Sequence, residues 1–149
     1  MTNMDGMEER DKLEKVGLFH GHLGPCVVTG LRLGDYALKR LKAHAHYGIE
    51  AWVQCAGRTP ESCILDGIQV STGCTLGKQN LHHLVGSPVI ARFRNRDTGE
   101  EVVVAVNAEK VQESMATLRR EGEPAAVSFV LGLAEEDLFA ELPADQGPS

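Results

Sequence analysis

Apolar positions first fall into a helical rhythm after Pro25. Val27, Leu31, Leu38 and Leu41 keep helical spacing to about Lys42. Proline suits the first helical position, where its missing N–H leaves nothing unpaired. Upstream, residues 1–15 are polar and predict a mobile arm or a short helix, and Phe19–Gly24 reads as an extended turn. Ile49–Gln54 predicts a short strand and Arg58–Ser62 a loop. Ser62 is placed to cap a helix from Cys63 to about Thr72, with Ile64, Leu65 and Ile68 buried and Gly73 as its stop. Ser87–Asn95 and Glu101–Val106 flank Asp97-Thr98-Gly99 as a hairpin. Asn107 caps a helix through Arg120 that turns Val111, Met115 and Leu118 inward. Residues 124–133 fit strand or helix, and Glu135–Leu142 fits a short terminal helix.

Helices and strands interleave without regular βαβ units. The pattern therefore predicts an α+β fold, an antiparallel sheet packed with helices in a single compact domain. The core is expected over 1–133, with 134–149 as an acidic tail or short helix. Gly30 and Gly34 lie four apart on the long helix. Each costs a helix about 1 kcal/mol relative to alanine, so the pair predicts close packing against another element or the same helix of a second subunit.

Composition narrows the function classes. Net charge is −6, and the last sixteen residues hold five acids and no base. A solvated tail fits that run, and the acidic balance disfavours nucleic acid as a partner. Aromatic residues make up 5% of the chain, too few for base-stacking platforms. No apolar run reaches the roughly 18 residues of a membrane span. The N-terminus lacks a signal-peptide core, so a cytoplasmic protein with reduced thiols is expected.

Four stretches carry chemistry. His20-Gly21-His22 would project two imidazoles from one side of an extended segment, a natural metal bite. His44-Ala45-His46 has the same spacing in a polar stretch after the helix, where surface histidines are the simpler reading. Cys63 at a helix start would be favoured as a thiolate. Asp66 and Gln69 share its helix, and both need partners if buried. Gly73-Cys74-Thr75-Leu76-Gly77-Lys78 falls short of a phosphate-binding P-loop, having three residues between its glycines and Gln79 after the lysine. What survives is a polar turn whose Lys78 would suit an anionic group. Arg92, Arg94 and Arg96 line one face of a strand, as a solvated or edge-protecting row or as an anion-binding stripe.

In combination these residues are familiar. FHGHLGP, the helix VVTGLRLGDYAL and then SCILDGIQVSTGCTLGKQN resemble the FmdE family, named after the E component of formylmethanofuran dehydrogenase, from about Leu18 to Val106 and on toward Arg120. The resemblance implies an α+β core, a homodimer and a divalent metal, Zn2+ above all. By position it implies His20, His22 and Cys63 as metal ligands, with Asp66, Gln69, Cys74, Thr75 and Lys78 as a polar cluster around them. Cys74, Lys78 and Asp66 are then the catalytic candidates. Histidine and thiolate suit zinc, and three protein ligands leave a fourth position for water or substrate. Two departures stand out. No cysteine follows Cys74, whereas many relatives carry a four-cysteine zinc ribbon, and Gln79 stands where relatives often have glycine.

Two functions follow from the resemblance. One is a metal-binding protein that acts as a small metal-dependent enzyme on an anionic small molecule. The alternative is an accessory or cofactor-handling subunit of a molybdenum or tungsten formylmethanofuran dehydrogenase-type complex, with the other oxidoreductase subunits as partners.

Overall fold

The computed structural model describes residues 2–149, with side chains from Glu9 onward. A first helix, α1 (Thr2–His20), leads through four residues into α2 (Pro25–Leu41). Pro25 begins α2 after an extended Gly24, as its fixed φ favours, and Lys42 closes it in a left-handed conformation at φ 50°. Strand β1 (Ile49–Cys55) is followed by a 3-10 turn (Glu61–Cys63) and α3 (Ile64–Thr72). Then come β2 (Leu81–Val85), β3 (Ile90–Asn95) and β4 (Glu101–Val106). The chain finishes with α4 (Ala108–Glu121), α5 (Glu123–Gly132), the single turn α6 (Glu135–Leu138), β5 (Phe139–Leu142) and a 3-10 turn at Ala144–Gln146.

The sheet runs β2-β1-β3-β4-β5. It is antiparallel except at one edge, where β1 and β2 are parallel with Ala51 opposite Leu81. The unit β1–α3–β2 is thus a βαβ crossover, which the expectation of a wholly antiparallel sheet omits. A parallel pair needs such a crossover, and the short α3 supplies it. Alternation along β1 sends Ile49, Ala51, Val53 and Cys55 into the core, while Glu50, Trp52 and Gln54 face outward. Leu33, Ile64, Ile68 and Phe93 are fully buried in the cluster between helices and sheet.

The glycine pair seats α2 against α3. A Cβ at Gly30 would overlap the Ile64 carbonyl, one at Gly34 the Ser71 hydroxyl, and one at Gly67 of α3 the Val27 carbonyl. The close packing expected of Gly30 and Gly34 is therefore spent within the chain. It carries no argument for a second subunit.

Three local expectations need correction. Cys63, not Ser62, precedes the first residue of α3, and no side chain caps that end. The hairpin's first strand starts at Ile90 rather than Ser87, because the chain bends at Ser87-Pro88 and Pro88 has no N–H to give a ladder. Glu135–Leu142 is helical for one turn and then becomes β5, which pairs with β4 so that Phe139 lies opposite Val106 in the core. Burial of Phe139 against the sheet wins over the helical spacing of Leu138 and Leu142.

Arg92 and Arg94 lie on β3, the middle strand, and Arg96 in the turn after it, so the row protects no edge. Arg92 donates to Glu101 and to the carbonyls of Ala144, Gly147 and Pro148, and Pro148 is buried. Arg94 pairs with Glu101 at 2.6 Å and lies 5.2 Å from the Trp52 ring, while Arg96 is 3.4 Å from Glu50. Each guanidinium has a carboxylate of its own chain, which leaves no anion stripe. The residues after Pro143 are likewise held against the sheet rather than wholly solvated.

Candidate functional site

His20 is the last residue of α1, not part of an extended segment. Gly21 follows at φ +100°, and its N–H closes the helix on the Gly17 carbonyl at 2.9 Å. Glycine adopts this left-handed turn without a Cβ penalty. The turn brings the imidazoles of His20 and His22 to a centroid separation of 4.8 Å. The convergence read from i, i+2 spacing is therefore present, but a helix end and a glycine produce it.

Each ring is held by a carboxylate from a distant segment. His20 Nδ1 lies 2.6 Å from Asp66 Oδ2, and His22 Nδ1 lies 2.7 Å from Glu123 Oε2. Asp66 arrives on the first turn of α3, carried there by the glycine-lined α2–α3 contact. Glu123 is the first residue of α5, set directly after Gly122 at φ +95°. The two sites differ in access, since the His20 side chain is 11% exposed and that of His22 53%.

Cys63 shares this end of α3, three residues before Asp66, and is half-buried. Burial raises its pKa, the Asp66 charge raises it further, and a backbone hydrogen bond pulls the other way. The thiolate anticipated at a helix start is thus disfavoured in the metal-free chain, because the net environment is dry and negative. Nearby thiols are shifted more. Burial, then Cys63, Glu61 and Cys55, pushes Cys26 up to about 12. Burial and Glu61 push Cys55 up to about 11. Both shifts work against the thiolate form at these two positions.

The other polar residues stand at the opposite end of α3. Nine residues at about 1.5 Å each separate Cys63 from the turn after Thr72, roughly 14 Å. There Cys74 is fully buried and donates to the Ile49 carbonyl at 3.3 Å. Lys78 Nζ donates to Thr75 Oγ1 at 3.1 Å and sits 5.7 Å from the Tyr47 ring. Within one chain, therefore, His20, His22 and Asp66 are joined by contact and Cys63 stands at the same end of α3, whereas Cys74, Thr75 and Lys78 lie at the other. Gln69 lies between, one helical turn beyond Asp66.

Among the described residues, no three His, Cys, Asp or Glu side chains form a ready-made metal-holding group. What is built is a pair of nitrogen donors with a carboxylate behind each. Metal-bound histidines characteristically donate their second ring N–H to a carboxylate in this way, so the donor set fits a divalent ion at the pair. Glu123 escapes sequence reasoning. A glutamate in a first helical turn already has a reason to be there in the helix dipole, and nothing local marks it as a partner for a histidine 101 residues away. A separate cleft of about 620 Å³, lined by Leu31, Arg32, Asp35 and Leu131 among others, contains neither histidine.

Fold and site together define a small α+β scaffold with two carboxylate-held imidazoles at one end of α3. The chain belongs to the FmdE family, described as FmdE, molybdenum formylmethanofuran dehydrogenase operon, whose sequence profile matches residues 19–139. A solved FmdE-like protein of the tungsten formylmethanofuran dehydrogenase type, from Syntrophus aciditrophicus, superposes with a TM-score of 0.59 at 26% identity, covering 91% of this chain and 73% of that one. A probable S-adenosyl-L-methionine-binding protein of Archaeoglobus fulgidus is 39% identical over 102 residues, covering 64% of this chain. The present chain spans 26% of that archaeal protein's length. No helix among the described residues is long and apolar enough to cross a membrane.

Proposed function

We propose that this chain is a metal-binding FmdE-type protein that takes one divalent ion through His20 and His22, with Cys63 as the third ligand. The observation that carries the reading is the pair of Nδ1–carboxylate hydrogen bonds, which leaves Nε2 of two adjacent rings free as donors. Imidazole and thiolate favour zinc, and three such ligands leave a position for water or an exchangeable group. When bound, zinc would supply Lewis acidity there. It would also offset the burial and Asp66 charge that keep the Cys63 thiol protonated, since metal binding is coupled to ligand deprotonation.

Between the two functions, the accessory role is the better supported. Beyond the metal itself, an enzyme that orients an anionic substrate would use a side-chain cation at the site. Lys78 instead lies at the far end of α3, and Arg92, Arg94 and Arg96 are paired with carboxylates of the chain. The family takes its description from a formylmethanofuran dehydrogenase operon, which supports the subunits of such a complex as partners. A homodimer belongs to the same proposal. Leu18, Phe19, Tyr47 and Leu76 are large apolar side chains exposed on the single chain, which a second copy would cover. Metal analysis of protein purified without added metal tests the central part. About one divalent ion per chain is the expected stoichiometry. A metal-free protein that also gives no heat on zinc titration would overturn it.

A further inference from the structure

The carboxylates behind the histidines choose the same nitrogen twice. His20 uses Nδ1 toward Asp66 and His22 uses Nδ1 toward Glu123, although the two acids come from different helices. This is no general habit of the chain, because His82 meets Glu50 through Nε2 at 2.7 Å. An ionised carboxylate has no proton to give, so the ring nitrogen facing it must carry the hydrogen. A neutral imidazole with a proton on Nδ1 has its lone pair on Nε2.

We propose that Asp66 and Glu123 are positioning residues that lock His20 and His22 in the Nδ1–H tautomer, making Nε2 the donor atom on both rings and making α5 a working part of the site. The ligand rests on the metal reading above, but the tautomer is a property of the metal-free protein and is tested separately. Glu123 is the more informative of the two acids. It sits 46% exposed against a half-exposed histidine, where an ion pair alone stabilises little. Gly122 nonetheless aims it. This residue ends α4 with its N–H on the Leu118 carbonyl and starts α5 at φ +95°. A left-handed glycine at that junction fixes where the first side chain of α5 emerges.

The experiment uses the full chain labelled with nitrogen-15 and free of metal, at a pH where imidazoles are neutral. Long-range proton–nitrogen correlations identify the protonated nitrogen of each ring, and zinc affinity is measured on the same samples. Wild type is expected to show His20 and His22 as Nδ1–H. Glu123→Ala should release His22 to the Nε2–H form and weaken zinc binding by about 10- to 100-fold, the usual range for losing such a partner. Glu123→Gln should restore most of both, because its amide oxygen accepts the same hydrogen bond. Gly122→Ala should imitate Glu123→Ala while leaving the glutamate in place. His22 as Nε2–H in wild type would overturn the proposal, as would a tautomer or zinc affinity indifferent to Glu123→Ala. Should wild type bind no zinc, the metal reading fails while the tautomer measurement still decides whether the acids lock the rings.

Discussion

The chain contains two His-X-His sequences, and the structure treats them differently. His20 and His22 face each other across a helix end, each with a carboxylate on Nδ1. His44 and His46 are exposed and have no side-chain hydrogen-bond partner among the described residues. What His46 contributes is its backbone. At φ 74° its N–H reaches the Thr72 carbonyl at 2.8 Å, and its own carbonyl accepts from Asn80 at 2.6 Å. One pair is therefore held ring by ring by carboxylates, and the other is a backbone strut that ties down the end of α3. Spacing is identical in both, so spacing decides nothing. The difference lies in which distant segments reach the rings.

The largest effect should come from breaking the seat that brings Asp66 to His20. Gly67→Leu places a side chain where the backbone of α2 already lies. Overpacking of this kind costs at least about 3 kcal/mol, or roughly 6–12 °C in melting temperature for a chain of this size. Thermal unfolding followed by circular dichroism measures it. An unshifted melting curve would mean that the α2–α3 contact is looser than the structure has it.

Next in size is the contrast between the two histidine pairs themselves. Replacing His22 and Cys63 together by alanine should weaken zinc binding by more than about 100-fold, beyond the range for outer partners alone. The His44→Ala, His46→Ala double variant should bind as wild type does. Equal losses in the two doubles, read by calorimetric titration, would erase the distinction.

Long-range partners should also carry energy where the sequence suggested a solvated tail. Arg92 grips the carbonyls of Ala144, Gly147 and Pro148. Ending the chain after Pro143 should cost about 1.5–3 kcal/mol, the scale of one charge-assisted hydrogen bond. Arg92→Ala should lose a similar amount, with little further loss when the two changes are combined. Full additivity in urea unfolding would show that the tail and the guanidinium act independently.

The smallest effect is a pH dependence at β5. The Tyr36 hydroxyl donates to Glu141 at 2.5 Å and Arg40 donates at 3.0 Å. The Tyr36 hydrogen bond first, and then Arg40 against some burial, hold the Glu141 carboxyl below its ordinary value of about 4.5. A depressed folded-state pKa contributes stability above the unfolded value and loses it as pH falls through the folded one. Wild type should thus lose a little stability below about pH 4.5 that Glu141→Gln does not have to lose. The pair is partly exposed, so the effect should stay under about 1 kcal/mol. Identical acid slopes for the two proteins would remove this contact from the account.

Local chemistry made much of the fold legible. Pro25 marks the start of α2, and Asn107 caps α4 with its side-chain oxygen accepting from Glu109 and Lys110. The β3–β4 hairpin turns at Asp97-Thr98-Gly99, with Gly99 at φ +78°. The parallel β1–β2 edge was hidden because Leu81–Val85 contains two adjacent histidines and no clean alternation. Strand β5 was hidden behind four acid-rich residues that form a helical turn first. At the site, His20, His22 and Cys63 were marked by residue type and family resemblance. The division of the polar cluster between the two ends of α3 was not, because it depends on how far a nine-residue helix carries the chain. Glu123 had no local mark at all.

The most direct test of the central claim is zinc K-edge absorption on the zinc-loaded wild type beside the two double histidine variants. Two imidazole nitrogens at about 2.0–2.1 Å and one sulfur at about 2.3 Å are the expected shell. That shell should persist in His44→Ala, His46→Ala and disappear in His20→Ala, His22→Ala. An unchanged imidazole shell after loss of His20 and His22 would contradict the assignment and place the metal elsewhere on the chain.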